Sequence, residues 1–310
     1  MKKLIIFLLI LVLSGCSMVR NMVGPFEPTF TVPKSDYLGA GIVFNKIRPE
    51  YYMQETELFA VSSESELALL AAKKMEAGQL KVSYRSTSVL SLQKTFMYLE
   101  SIINVPFTLS MGYTEYSRFG SSVDKVYFAE IQHDPSKDAA LSTDIDKFLT
   151  PLVLDNKNND VQLEQIHDKL VRETQYDTSI QKLNLEQYRG SPSFEAYGVF
   201  TYKKAVCSGY ARALMGLAKK RGIPVLYIAS LTMEHAWNLV YDGKNWLYID
   251  ATWDDPVPNV KNRVLHTYFL LSSKQFLHDG KHRFDKQSND TLNEAEYLAF
   301  AKYVFPNATN

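Results

Sequence analysis

Three residues whose types can together perform nucleophilic chemistry fall at compatible positions in the last third of this sequence: Cys207, His235 and Asp250. Cys207 immediately precedes Ala211, Leu214, Met215 and Ala218, whose i, i+3, i+4, i+7 spacing predicts a helix with one buried face. The sulfur would then sit at a helix N-terminus, where unpaired backbone N–H groups favour negative charge and stabilise a thiolate. Lys219, Lys220 and Arg221 would complement the other helix end, and Gly222 would close it. His235 and Asp250 bound two aromatic and β-branched runs joined by Asp242-Gly243, a strong hairpin signal. A regular two-residue turn there would set imidazole and carboxylate directly opposite each other on one sheet face. The cysteine-bearing helix is expected to pack across that same face with its N-terminus toward His235.

In such a set the carboxylate holds one ring nitrogen protonated, and the other takes the thiol proton. Cys207 would attack an amide carbonyl and form an acyl thioester, which water resolves as hydrolysis and an amine as transamidation. The Cys207 backbone N–H would receive the oxyanion; Gln187 and Tyr202 are candidates for a second donor, and Trp237 is a candidate cleft residue. Each residue also has a structural reading. Asp250 could cap a turn with Thr252 and Asp254, and His235 could be a core histidine. All three at helix-start and hairpin positions favour a shared site.

The segment from about Val161 to Leu277 resembles the transglutaminase-like superfamily of papain-like cysteine enzymes, particularly its bacterial extracellular branch. The resemblance is carried by Tyr176-Asp177, Ala196-Tyr197, the run Ala205 to Ala211 around Cys207, Gly222-Ile223-Pro224, His235-Ala236-Trp237-Asn238, the run Asp250 to Pro256, and Tyr268 to Ser272. It implies Cys207 as nucleophile, His235 as base and Asp250 as orienting partner. Ser208 stands where many relatives carry glutamine, and Lys203-Lys204 replaces the usual turn. The preceding α/β unit also looks like the accessory region of such lipoproteins.

The elements that must position these residues suggest an α+β chain. Residues 37–135 alternate strand, helix, strand, helix, strand, strand and form a small layered α/β domain. Residues 136–160 form a helical connector, and 161–310 a transglutaminase-like domain, a helix-borne cysteine packed on an antiparallel sheet, closed by a helix over Leu292 to Val304. Ser63 with Glu66 predicts a capping box in the first unit. Leu163, Ile166 and Leu170 should face the second core, with His167 beside them in a packing or surface role.

The N-terminus carries a different signal. Lys2 and Lys3 precede an apolar run, Leu4 to Leu13, too short for a membrane-spanning helix and shaped like an export signal. Leu13-Ser14-Gly15-Cys16 resembles the lipobox of bacterial lipoproteins, which implies residues 1–15 as a signal peptide, palmitate-type acylation of Cys16, and attachment to the extracytoplasmic face of the cell membrane. Residues 16–36, with Pro25, Pro28 and Pro33, read as a tether. With Cys16 acylated, Cys207 has no intrachain disulfide partner, because the chain holds two cysteines.

Composition excludes other classes. Lys plus Arg, 34, balance Asp plus Glu, 34, so nothing favours nucleic acid, and 46% hydrophobic residues support a folded core. There is no Walker loop or dinucleotide fingerprint, and no cofactor is expected. His278 and His282 have a metal-like separation, but Asp279-Gly280 interrupts it and no cysteine joins them, so no metal is expected either. Asp254 and Asp255 lack calcium-ligand spacing and read as structural or rim residues. The partners expected are a peptide or protein substrate in the cell envelope and the membrane; nothing in the sequence specifies an oligomeric state. The competing reading is a noncatalytic envelope-binding or assembly protein on an enzyme-like scaffold.

Overall fold

Residues 26–50, 53–118, 122–154 and 158–308 are described by a computed structural model. The expected signal peptide and Cys16 lie outside the described residues. Part of the expected tether is structured: β1 (Thr29–Thr31) pairs with β2 (Val43–Asn45), and Val32 is fully buried.

Apolar residues at strand and helix spacing build the first layered unit. Strand β3 (Phe59–Ala60), helix α1 (Glu64–Glu76), β4 (Lys81–Arg85), α2 (Leu92–Ile102), β5 (Phe107–Arg118) and β6 (Ser122–His133) follow one another. The sheet order is β3-β4-β6-β5, with β3 parallel to β4 and the other pairs antiparallel. Ser63 caps α1 by accepting the Glu66 N–H at 3.2 Å, but the Glu66 carboxylate takes the Ser62 N–H at 2.8 Å, one residue before the expected reciprocal bond. Helix α3 (Pro135–Leu149) connects this unit to α4 (Asn159–Glu173), whose Leu163, Ile166 and Leu170 are fully buried as their spacing requires.

The second unit is organised around two short strands, β7 (Gln175–Tyr176) and β8 (Lys204–Ala205), then helix α6 (Cys207–Lys220) and a sheet of β9 (Val225–Ser230), β10 (His235–Tyr241) and β11 (Trp246–Ile249), with β10 central. A short helix α5 (Leu185–Arg189) lies between β7 and β8, and α7 (Ser273–Phe276) and α8 (Glu294–Val304) complete the chain. One continuous apolar core runs through both units, so α2 packs near β9 as well as against α1. The chain is α+β, as its sequence pattern predicts.

Two features of the hairpin differ from expectation. The turn is a four-residue loop, Asp242 to Asn245, closed by the Asp242 N–H to Asn245 carbonyl bond at 3.1 Å, and the Asp242 carboxylate accepts the Lys244 and Asn245 N–H groups. Tyr241 therefore pairs with Trp246, and the ladder runs to Asn238 opposite Ile249. His235 is not directly opposite Asp250; its backbone partner is Ser230 on β9. The register moves by two residues, not one, so His235, Trp237 and Asp250 still share a face, and His235 reaches Asp250 diagonally.

The second difference concerns α6. Buried Asn238 donates from Nδ2 to the Ala211 carbonyl of α6 at 2.9 Å, and Arg212 of α6 lies over the Tyr227 ring at 4.6 Å. Asn238 and Tyr227 are cross-strand partners, so alternation puts α6 on the sheet face opposite His235 and Trp237. The helix does not cross the histidine's face; its N-terminus meets His235 around the end of β10.

Candidate active site

The start of α6 is fixed from several directions. Tyr176 pairs with Ala205, and Asp177 N–H bonds the Ala205 carbonyl at 2.9 Å. The Val206 N–H bonds Ser193 carbonyl at 2.9 Å, and Ser208 Oγ donates to Phe194 carbonyl at 2.8 Å. Ser193 Oγ in turn donates to Asp177 Oδ2 at 2.5 Å. Gly209 is required by this close approach, since a Cβ there would stand 2.5 Å from the Ser193 carbonyl oxygen. Cys207 is thus the first helical residue, half-buried, on a helix start that cannot shift without breaking this network. The N–H groups of the first turn have no intrahelical acceptor and point toward the space before the helix.

His235 opens β10 and follows Glu234, whose φ of 51° is left-handed. The Glu234 carbonyl lies 4.0 Å from Cys207 Sγ, and the thiol is close enough to the His235 ring to raise its proton affinity. His235 Nε2 lies 2.6 Å from Asp250 Oδ2, which leaves Nδ1 for the thiol. Cys207, His235 and Asp250, separated by 28 and 15 positions in sequence, are brought together.

Asp250 is fully buried and its carboxylate is saturated. Oδ1 accepts the Thr252 and Trp253 N–H groups at 3.0 and 3.2 Å, so the turn-capping reading of this residue also holds. Oδ2 accepts from His235 and, at 2.8 Å, from His282 Nε2. Burial opposes a charged imidazole at His235, but Asp250 and Cys207 outweigh it and push the His235 pKa up to about 10. Burial would likewise raise the Asp250 pKa, and the two histidines hold it well below the usual carboxylate range instead. The arrangement favours an imidazolium with one N–H on the carboxylate and the other toward the sulfur.

His282 carries no signal of this role in the sequence; its spacing from His278 suggested only a metal pair. It is buried between Phe276, at 3.9 Å between ring centroids, and Trp253, at 4.1 Å. Its Nδ1 is buried without a hydrogen-bond partner among the described residues. An N–H on Nε2, given to Asp250, fits this setting, since a buried lone pair on Nδ1 costs less than a buried unpaired N–H. His235, Asp250 and His282 could together present ligand atoms to a metal ion.

The remaining candidates have contacts of other kinds. Gln187 is exposed on α5 and its Oε1 accepts the Asn184 N–H in a capping box. Tyr202 is 56% exposed and packs edge-on to Tyr197. Trp237 is only 1% exposed, enclosed by Phe276, Phe284 and His282, so it supports the histidines from within the core and does not line an open cleft. Tyr176, beside the helix start, is near enough to Cys207 and Asp250 to feel their charges; burial first, then those charges, raises its pKa. Asp255 is buried and accepts the Tyr210 hydroxyl at 2.5 Å, a structural role as its setting suggested.

Residues 147–251 match the family model of the transglutaminase-like superfamily. The match begins within α3 and ends one residue after Asp250, so it takes in the cysteine, the histidine and the aspartate. No curated protein matches the sequence. Among solved structures, one described as "a TGase" is 14% identical with a TM-score of 0.35, and the alignment covers 71% of this chain and 65% of that one. Another, described as "a Putative Cysteine Protease from Cytophaga hutchinsonii", is 15% identical with a TM-score of 0.26, covering 49% of this chain and 67% of that one. Likeness at this level carries no argument about chemistry. The family match supports a transglutaminase-like core within the α+β chain.

Proposed function

We propose that this chain is a cysteine enzyme that acts on peptide or protein amide bonds through an acyl-thioester intermediate. The observation that carries the reading is the Cys207 thiol at the first residue of α6, beside a His235 ring whose Nε2 is held 2.6 Å from a fully buried Asp250. The thiolate attacks the amide carbonyl carbon, and the C=O electron pair moves to oxygen, which the Cys207 backbone N–H receives. The tetrahedral species collapses as His235 Nδ1 gives its proton to the departing amine. Neutral His235 then takes a proton from water or a second amine, which attacks the thioester; collapse of that adduct returns the proton to sulfur. The products are a carboxylic acid with water and a new amide with an amine.

The site lies in the envelope in this reading, held at the extracytoplasmic membrane face by acylated Cys16, and its substrates are envelope peptides or proteins. The N-terminal sequence supports that placement; among the described residues no helix is long and apolar enough to cross a membrane. The test is intact and peptide mass analysis after exposure to a thiol-reactive probe and then to candidate envelope peptides, with and without a primary amine. A substrate acyl adduct on Cys207 that is absent from H235A supports the reading. Equal probe reaction at Cys207 in wild type and H235A, with no adduct from any peptide, overturns it in favour of a noncatalytic binding protein.

A further inference from the structure

Away from the thiol, a second histidine–aspartate cluster joins α4 to the segment that follows Asp255. His167 Nδ1 lies 3.4 Å from Asp168 Oδ1, and His266 Nε2 lies 2.7 Å from the same oxygen. His167 is fully buried, Asp168 is partly exposed, and the His266 side chain is 41% exposed. On its far side, His167 Nε2 faces Asp254 Oδ2 at 3.2 Å. Both of these buried atoms have no hydrogen-bond partner among the described residues, although the other Asp254 oxygen accepts the Tyr268 N–H at 3.0 Å.

We propose that His167 Nδ1, Asp168 Oδ1 and His266 Nε2 form a binding site for a divalent ion of the zinc class, with Asp254 as the outer carboxylate that orients His167. The three donor atoms lie within 4.8 Å of one another. Two imidazoles and one carboxylate are a donor set for borderline divalent metals, and three protein ligands leave a fourth position for water on the solvent side. A metal-bound histidine characteristically gives its second N–H to a carboxylate, which fixes tautomer and ring plane. His167 already lies between two carboxylates, which a buried packing histidine does not require.

Distances agree with this use. With zinc bonds of about 2.0–2.2 Å, tetrahedral ligand atoms stand about 3.3 Å apart. The His167–Asp168 pair is already at 3.4 Å, the His266–Asp168 pair must open from 2.7 Å, and His266 is a solvent-facing ring that can make that movement. Phe269 covers the cluster on one side, 4.9 Å from the His167 ring and 5.3 Å from that of His266 between centroids. Arg172 bonds the other Asp168 oxygen at 2.6 Å, so it opposes the ion's charge but leaves Oδ1 to the ion.

Zinc titration of the C207A chain by calorimetry tests the proposal without thiol ligation. Expected are one zinc ion per chain and at least about a tenfold loss of affinity in C207A/H266A, whose exposed substitution leaves the core intact. X-ray absorption of the zinc-loaded C207A chain should show imidazole and oxygen ligands. Failure of C207A to bind zinc, or equal affinity in C207A and C207A/H266A, overturns it. Loss of binding in C207A/H282Q with retention in C207A/H266A also overturns it, by moving the ion to Asp250.

Discussion

The two histidine–aspartate clusters share a building unit, one carboxylate oxygen contacted by two imidazoles, and differ in its surroundings. Around Asp250 the carboxylate is fully buried, its second oxygen is held by two backbone N–H groups, and one of its histidines faces a thiol. Around Asp168 the carboxylate is partly open, its second oxygen is held by an arginine, and one of its histidines faces solvent. Burial tends to raise the Asp168 pKa, but His167, His266 and Arg172 hold it down to about 2. A shared carboxylate is therefore not by itself a catalytic device. It becomes one in the proposed enzyme where the ring it orients has a nucleophile on its other edge; with an open edge instead, it suits a metal ion.

Substitutions in the two clusters should separate along that line. The largest effect is expected from C207A: no adduct on that residue and no turnover, a loss of at least about 10³-fold measured by single-turnover mass analysis. H235A should slow alkylation of Cys207 at neutral pH by about 10²-fold or more, measured with iodoacetamide and peptide mapping. If H235A and H266A slow it equally, the distinction between the clusters fails.

D250N should change the pH dependence. In wild type the alkaline limb of the rate profile should fall near pH 10, where His235 loses its proton, and D250N should draw it down toward the ordinary histidine range. The same shift appears in stability. The His235 pKa is raised on folding, so its contribution is full below the ordinary value of 6.5 and is lost as pH rises through about 10. Asp250 is depressed, so its contribution is present above the ordinary 3.8 and is lost only as pH falls through its lower folded value. Urea midpoints across pH 6 to 10 should therefore decline in wild type and flatten in D250N.

H282L should cost about 1–3 kcal/mol of stability, because it removes one donor from a buried charge, and should slow the reaction about tenfold; H282Q should restore part of both. The smallest effect is expected from H266A without added metal: alkylation within about twofold of wild type and stability within about 0.5 kcal/mol. A large loss there would show that the Asp168 cluster supports the thiol site directly.

Much of the site was legible because it is local. Apolar spacing after Cys207 marked the helix and its first residue, and two aromatic runs marked β10 and β11. The turn type was not legible: Asp242-Gly243 suits a two-residue turn, but Asp242 instead caps a four-residue loop. His235 and Asp250 still met because a two-residue change preserves side-chain alternation. His282 was not legible, since its contact with Asp250 spans 32 positions and depends on how the segment after α7 folds back over Trp237.

The sequence by itself determined that a helix begins at Cys207, that His235 opens one strand of the hairpin while Asp250 follows the other, and that these two fall on one sheet face, because side-chain periodicity acts over a few neighbouring residues. Only the tertiary structure decided that α6 lies on the opposite face and meets His235 around the strand end, that Asp250 serves two histidines, and that His167 lies between Asp168 and Asp254. Those outcomes depend on which buried polar groups find partners when distant segments pack together, and no local pattern encodes that choice.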